Sequence, residues 1–296
     1  MTPKFVLVTD SGMLKPTLFT AWGVLRHLSG EGELHFWGDR LSEEAWRMVD
    51  RLSRVNPKVE VKKLKLSAAD FDGAKGVGDH ISVATMGRLH IPSKLSGRVL
   101  YLDGDIRVTG DLRPLFLAPM GGKPVGAVRD FVVSRTCVKR TLDKPKYAAR
   151  TNEIRELMLR EDVSEYFNAG VLLLDADVIR RTPDLSARMG DVVRASCWPL
   201  GDQDHLNNIF VGNVHLLNPA WNSSWSRAAE QRSFAKALGG GSQETESLPT
   251  AVVHFHGPKK PWKIRRNNFW RRPTRAAIAY RMEMRSYGRS FPELAF

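Results

Sequence analysis

The segment Arg98-Val-Leu-Tyr-Leu-Asp-Gly-Asp-Ile-Arg107 places two carboxylates two residues apart, directly after an apolar run. In an extended chain, a period of two turns Asp103 and Asp105 to the same side. Two convergent carboxylates can grip one divalent cation. Spacing alone is a weak signal: about one Asp-x-Asp is expected by chance from this composition, and the chain has four, starting at Asp70, Asp103, Asp175 and Asp202. Only Asp103-Gly104-Asp105 combines a preceding buried-type strand with a glycine that lets a ligand approach closely. Without a further partner, the pair would be a solvated strand-end turn. Val252-Val-His-Phe-His-Gly-Pro-Lys-Lys-Pro-Trp262 offers that partner, since a β-branched run delivers His254 and His256, followed by Gly257 and Lys260. A lone strand histidine is usually a hydrogen-bonded core residue. Here the glycine exposes backbone N–H groups and the lysine supplies a point charge, both suited to a diphosphate beside a metal. Two carboxylates with one imidazole favour Mn²⁺, with Mg²⁺ as the competing ion.

The elements that must hold these groups follow from hydrophobic periodicity. Short β-type runs at Lys4–Thr9, Leu34–Trp37 and Val59–Leu64 alternate with amphipathic stretches at Pro16–Leu28 and Ser42–Arg54. Such alternation predicts βαβ units and a largely parallel sheet. A ligand would bind at the C-terminal end of the first strand, where Asp10 lies. Arg98–Leu102 is expected to form a strand ending in Asp103, Val125–Arg129 another ending in Asp130, and Gly170–Leu174 and Ala251–Phe255 two more. Val133–Glu165 and Ser223–Pro249 show weak periodicity and much charge, so they are expected as long loops or lids over a site.

With 42% apolar and 26% charged residues, the 296-residue chain can bury a full core. The longest apolar stretch near the start is Phe5–Val8, too short for a signal peptide core or a membrane span. A cytoplasmic protein is therefore expected. Two cysteines, Cys137 and Cys197, make neither a disulfide framework nor a zinc knuckle. The net charge of +13 is uneven, because Pro258–Phe296 holds eleven Lys or Arg against Glu283 and Glu293. Trp262, Phe269, Trp270, Tyr280, Tyr287 and Phe291 are interleaved with that charge. The mixture suits an anionic membrane surface, and residues 263–296 are expected as a basic aromatic tail after a domain spanning 1–262.

Four blocks in order resemble glycosyltransferase family eight, the retaining galactosyl- and glucosyltransferases of lipopolysaccharide and lipooligosaccharide synthesis. They are His80-Ile-Ser-Val-Ala-Thr85 with Arg88; Val99-Leu-Tyr-Leu-Asp-Gly-Asp105; Tyr166-Phe-Asn-Ala-Gly-Val-Leu-Leu-Leu174 with Gly201-Asp-Gln-Asp-His-Leu-Asn207; and His254-Phe-His-Gly-Pro-Lys-Lys-Pro-Trp262. The resemblance implies an α/β GT-A fold with a Rossmann-like mixed sheet, a UDP-hexose donor and a glycan or glycolipid acceptor. It also implies that Asp103, Asp105 and His254 hold Mn²⁺, that Gly257 and Lys260 meet the diphosphate, and that Asp10 faces the uracil or ribose. By the same likeness, Arg88 binds the donor, while Asp130, Asn168, Asp202 and Gln203 surround the transferred sugar. After Asp10 the chain runs Ser11-Gly12-Met13 where the family usually has Asn and an aromatic.

Gln203 is a weak nucleophile, which favours front-face departure with the leaving phosphate taking the acceptor proton; a covalent intermediate on Asp202 is the other route. Two rival readings explain less. A dehalogenase-type phosphatase or phosphotransferase needs Thr or Val four residues after the first Asp, where this chain has Arg107. Nucleic-acid binding would rest on the tail alone and leave the acidic pair and His254 unused. No nucleic acid is therefore expected as a partner.

Overall fold

The structure is a computed structural model that describes residues 1–76, 82–140, 145–263 and 269–291. Seven strands form the main sheet: β1 Lys4–Thr9, β2 Gly32–Asp39, β3 Val59–Leu66, β4 Arg98–Leu102, β6 Val125–Arg129, β7 Phe167–Asp175 and β8 Val214–Leu216. Their order is β3-β2-β1-β4-β7-β6-β8. The expected parallel arrangement holds for β1 to β4, but β7 runs antiparallel to both neighbours, β4 and β6. The sheet is therefore mixed.

Side chains along the central strands alternate between two buried layers. Phe5 and Leu7 of β1, Leu100 and Leu102 of β4, and Val171 and Leu173 of β7 enter one core. Val6 and Val8, Val99 and Tyr101, and Leu172 and Leu174 enter the other. Burial on both faces explains why these strands appear in the sequence as continuous apolar runs. Helix α1, Leu14–His27, covers the first layer and buries every residue from Pro16 to Leu25. Its threonines also clamp the acidic turn: Thr20 Oγ1 donates to the carbonyls of Gly104 (3.0 Å) or Ile106 (2.8 Å). A Cβ at position 104 would lie 2.1 Å from Thr17 Oγ1, so only glycine permits this approach.

A second, three-stranded sheet has the order β5-β10-β9, from β5 Ile106–Val108, β10 Val252–His254 and β9 Ser223–Ser224. Its register pairs His254 with Ile106, and Phe255 N donates to Asp105 O at 3.1 Å. The late histidine strand is thereby zipped beside the acidic turn that leaves β4.

Two expectations are corrected. The stretches expected as loops are largely helical: Phe131–Arg140, Pro145–Met158, Ala228–Ala237 and the short Ser242–Thr245. Val133, Cys137, Ile154 and Met158 form a small core of their own, whose apolar spacing the charged faces conceal. The tail expected to stand after a domain of residues 1–262 also packs in part into that domain's core. Within the tail, helix Arg272–Ser290 sends Tyr280 and Tyr287 into the first core layer, and Phe291 joins them just after the helix ends. Tyr280 meets Phe19, Phe255 and Trp262 at ring-centroid distances of 4.7, 5.2 and 5.6 Å. Phe269, Trp270 and Met282 remain exposed. Among the described residues, no helix is long and apolar enough to cross a membrane.

Candidate active site

The acidic turn and β10 bring Asp103, Asp105 and His254 together, each offering a ligand atom, all within 4.8 Å of one another. His254 Nε2 lies 3.2 Å from Asp105 Oδ1 and 3.6 Å from Asp103 Oδ2. Gly170 makes the meeting possible, because a Cβ there would stand 2.2 Å from His254 Cε1 and 2.8 Å from Asp103 Oδ2. The histidine's other nitrogen, Nδ1, bonds Asn222 Oδ1 at 3.0 Å. A donor at Nδ1 leaves the Nε2 lone pair facing the carboxylates, as a metal ligand requires.

Lys260 pairs with Asp105. Burial raises the Asp105 carboxyl, but His254 and Lys260 outweigh burial and hold it well below the usual carboxylate range. Arg88, itself buried, reaches Asp103 Oδ1 at 3.2 Å and lies 2.6 Å from Asp202 Oδ2. Its Nε–H donates to Thr85 O at 3.0 Å, so the Asp202 contact is Coulombic rather than a hydrogen bond. Burial opposes the guanidinium's charge, and Asp103 and Asp202 more than restore it. Burial also pushes the Asp202 carboxyl up, against the pull of Arg88. Among the described residues, the three carboxylates face Arg88 and Lys260 as fixed cations, with His254 beside two of them, so a cation supplied from solution would balance the cluster. The donor set, its spacing and the free Nε2 fit a divalent metal.

A second set of groups adjoins the first. Asn168 lies within β7 and uses its whole amide. Its Nδ2 donates to Gln203 Oε1 (3.0 Å) and Asp130 Oδ2 (3.3 Å), while its Oδ1 accepts from Gly170 N (3.1 Å) and Asn222 Nδ2 (3.0 Å). Gln203 Oε1 also accepts from Ala169 N at 3.1 Å. Asp130 caps helix Phe131–Arg140 through Oδ1, which accepts from Val132 N and Val133 N at 2.8 and 3.0 Å. Gly201, with φ of +58°, is the N-cap of helix Asp202–Ile209, so Asp202 opens the helix rather than capping it.

An unbroken chain of hydrogen bonds thus links His254 through Asn222 and Asn168 to Gln203. Asn222 escaped sequence reasoning because Trp221-Asn-Ser-Ser224 carries no pattern of its own. Tyr166 and Asp204 escaped it too; they bond each other behind Gln203, whose Nε2 lies 3.4 Å from Tyr166 Oη. Replacing Asn222 with Ala should weaken Mn²⁺ binding about 10- to 100-fold, the usual cost of losing a residue that orients a ligating histidine. Asn222→Asp keeps an acceptor for Nδ1–H and should retain metal affinity while setting a carboxylate against Asn168 Oδ1. Titrating free Mn²⁺ by electron paramagnetic resonance separates the two; equal affinity in Asn222→Ala and wild type would remove Asn222 from this role.

Of the other predicted residues, Asp10 stands at the end of β1, where its Oδ1 accepts from Met13 N at 3.0 Å. Gly257 has φ of +88° and space around it, so glycine there serves the backbone turn rather than a close approach. His256, the first alternative to His254 as a ligand, instead bonds Ser224 Oγ at 2.7 Å. His80 and Ile81 fall outside the described residues.

Comparison with known proteins agrees with this geometry. The family model described as glycosyl transferase family 8 matches residues 7–265. The chain is 27% identical over 272 residues to glycosyltransferase GlyF of Streptococcus pneumoniae serotype 4, covering 88% of this chain but 58% of that one. It is 26% identical over 174 residues to the lipopolysaccharide 1,2-glucosyltransferase of Escherichia coli K12, covering 56% and 44% of the two chains. The matched region thus spans 58% and 44% of these two relatives' lengths. Among solved structures, the galactosyltransferase LgtC in complex with donor and acceptor sugar analogs superposes with a TM-score of 0.68 and 25% identity, over 93% of this chain and 95% of that one. The mixed seven-stranded sheet flanked by helices is the GT-A fold of that enzyme. A match across most of the chain, joined to an acidic turn and histidine strand built around one ligand cluster, places the protein in glycosyl transferase family 8.

Proposed function

We propose that the chain is a retaining hexosyltransferase that moves galactose or glucose from a UDP-sugar to a hydroxyl of a glycan or glycolipid, with Mn²⁺ at Asp103, Asp105 and His254. One observation carries this reading. The metal-type cluster is joined by Arg88 and by Asn222 to the side chains proposed to surround the sugar. Diphosphate and sugar would therefore be held by one connected scaffold. When bound, the cation would offset the charge that grows on the departing diphosphate.

The remaining steps belong to the chain's own groups. Lys260, paired with Asp105 in this structure, would neutralise phosphate charge, and backbone N–H groups at the Gly257 turn would donate to phosphate oxygens. Asp10 meets the uracil or ribose, and Arg88 braces Asp103 and Asp202. Asp130 and Asp202 grip sugar hydroxyls, and Asn168, bonded to Asp130 and Gln203, holds them around the sugar, which fixes the anomeric carbon beside the acceptor oxygen. The anomeric C–O bond breaks with its electron pair leaving on the diphosphate. The acceptor oxygen bonds on the same face, and its proton passes to the leaving phosphate oxygen. Front-face departure is supported by Gln203, whose Oε1 already accepts two hydrogen bonds and has little nucleophilic character to offer. Arg88 beside Asp202 likewise damps attack by that carboxylate.

A screen of UDP release with UDP-galactose, UDP-glucose and their N-acetylated counterparts tests the donor. Proton NMR of the linkage formed tests stereochemistry, with an α-linked product expected from an α-donor; a β-linked product would refute retention. Docking on an anionic membrane surface is a further part of the proposal, now resting on exposed Phe269, Trp270, Arg271 and Arg272 rather than on the whole tail. Each basic residue near such a surface contributes about 1 kcal/mol. Arg271→Gln with Arg272→Gln should reduce sedimentation with anionic vesicles at low salt, and unchanged binding would end this part of the reading.

A further inference from the structure

Two arginines from distant parts of the chain converge on one aromatic ring at the edge of the candidate sugar site. Arg227 places Cζ 3.8 Å from the centroid of Phe131, and Arg135 places its own Cζ 5.4 Å from the same centroid. Phe131 directly follows Asp130, one of the sugar-site residues, and opens the helix that carries Arg135 one turn on. Arg227 precedes helix Ala228–Ala237, and Phe234 of that helix packs 5.8 Å from Phe131, so the two elements are fixed against each other. The arginine pair is thus set by tertiary packing rather than by mobile surface chains.

Neither guanidinium has an acidic partner to explain its position. Among the described residues neither forms an ion pair, and Arg135 Nε is a buried donor without a hydrogen-bond partner. Arg227 donates from Nε and Nη2 to Ser224 O and Oγ, at 3.1 and 2.9 Å, leaving Nη1 unspent. Burial and the neighbouring Arg135 both work against the charge on Arg227, with only Glu230 near enough to favour it. Two half-buried like charges held together cost free energy unless an anion joins them. Ser224 Oγ, in turn, bonds His256 Nε2 at 2.7 Å, and Ser224 pairs with His254 in the register of β9 with β10, so Arg227 is tied to the strand that carries the site's histidines. Phe131, next in the chain to Asp130, therefore sets the arginine pair at the border of the sugar site.

We infer that Arg135 and Arg227 form an oxyanion clamp for the acceptor, so that the acceptor is an acidic glycan bearing a phosphate or carboxylate close to the accepting hydroxyl. Two forked guanidinium groups beside an apolar ring suit such a planar or tetrahedral anion better than a neutral hydroxyl. The inference rests on the transferase reading, because it takes Asp130 to mark the transferred sugar.

The test keeps the donor site filled. With the full chain saturated in UDP and Mg²⁺, binding of glucose, glucuronate and glucose 6-phosphate is compared by saturation-transfer NMR. The clamp predicts that at least one of the two anionic sugars binds about tenfold more tightly than glucose. Which one does so separates carboxylate from phosphate recognition. Arg135→Gln and Arg227→Gln should each erase that preference, and Arg227→Lys should restore it only in part. UDP affinity measured on the same samples is the control: failure to bind UDP would undo the transferase reading itself, whereas UDP binding without anion preference would overturn the clamp alone. Equal binding of all three sugars, binding of none, or a preference that survives both substitutions would each do so. An arginine-dependent preference for UDP-glucuronate over UDP-glucose would assign the pair to the donor and overturn the acceptor assignment.

Discussion

Asp105→Asn is expected to lower sugar transfer on the order of 10³-fold, the scale set by losing one charged group that stabilises a departing anion. Asp105 is the most constrained member of the cluster, buried, paired with Lys260 and 3.2 Å from His254. Substitution by the amide removes one negative charge from a divalent site and leaves Lys260 free to bind phosphate without the competition that a carboxylate provides. The defect should therefore fall on turnover and metal affinity more than on donor recognition by Lys260. The fold should survive, since the amide of Asn can donate to the His254 Nε2 lone pair and accept from Lys260, which is exposed enough to find water. Retained circular dichroism with lost transfer is the expected pair of observations; transfer within about tenfold of wild type at saturating Mn²⁺ would show that the cation is gripped elsewhere.

Tyr280→Ala is expected to destabilise the protein by about 3–5 kcal/mol, the range for emptying a large aromatic site in a packed core. The ring is fully buried and touches Phe19 of α1, Phe255 beside His254, and Trp262 just beyond Lys260. For a chain of this size such a loss corresponds to roughly 5–8 °C in melting temperature. Because Phe255 separates His254 from His256, the cavity would also loosen the strand that presents the histidine ligand. Deleting the chain beyond Lys263 removes Tyr280, Tyr287 and Phe291 together, so the truncated protein should not fold stably. A truncated chain with wild-type melting temperature and donor turnover would show that the C-terminal helix is dispensable, contrary to its packing.

The contrast between that helix and the central strands shows what the sequence made legible. Strands β1, β4 and β6 begin and end where the apolar runs do, because each is buried on both faces and stops at a carboxylate: Asp10, Asp103 or Asp130. The acidic turn and histidine strand were also legible, since residue types chosen for chemistry stand out against a strand. The C-terminal helix carried a helical signal in Tyr280, Met284, Tyr287 and Phe291, all buried. The surrounding arginines drew attention to an anionic membrane surface instead. Helices Phe131–Arg140 and Pro145–Met158 were hidden for a similar reason, because their narrow apolar stripes face a small satellite core. Asn222 and the pair Arg135 and Arg227 could not be read from sequence at all. Their partners lie far away in the chain, and only folding gives an isolated polar residue its meaning.

The central claim is that Asp103, Asp105 and His254 join a divalent cation to the diphosphate of a UDP-sugar, and calorimetric titration of UDP tests it most directly. In Mn²⁺ the wild-type protein should bind UDP saturably at one site, and in EDTA the same protein, with metal content verified as zero, should lose at least about tenfold in affinity. Undiminished UDP binding in chelator, or no UDP binding in Mn²⁺, would contradict the account.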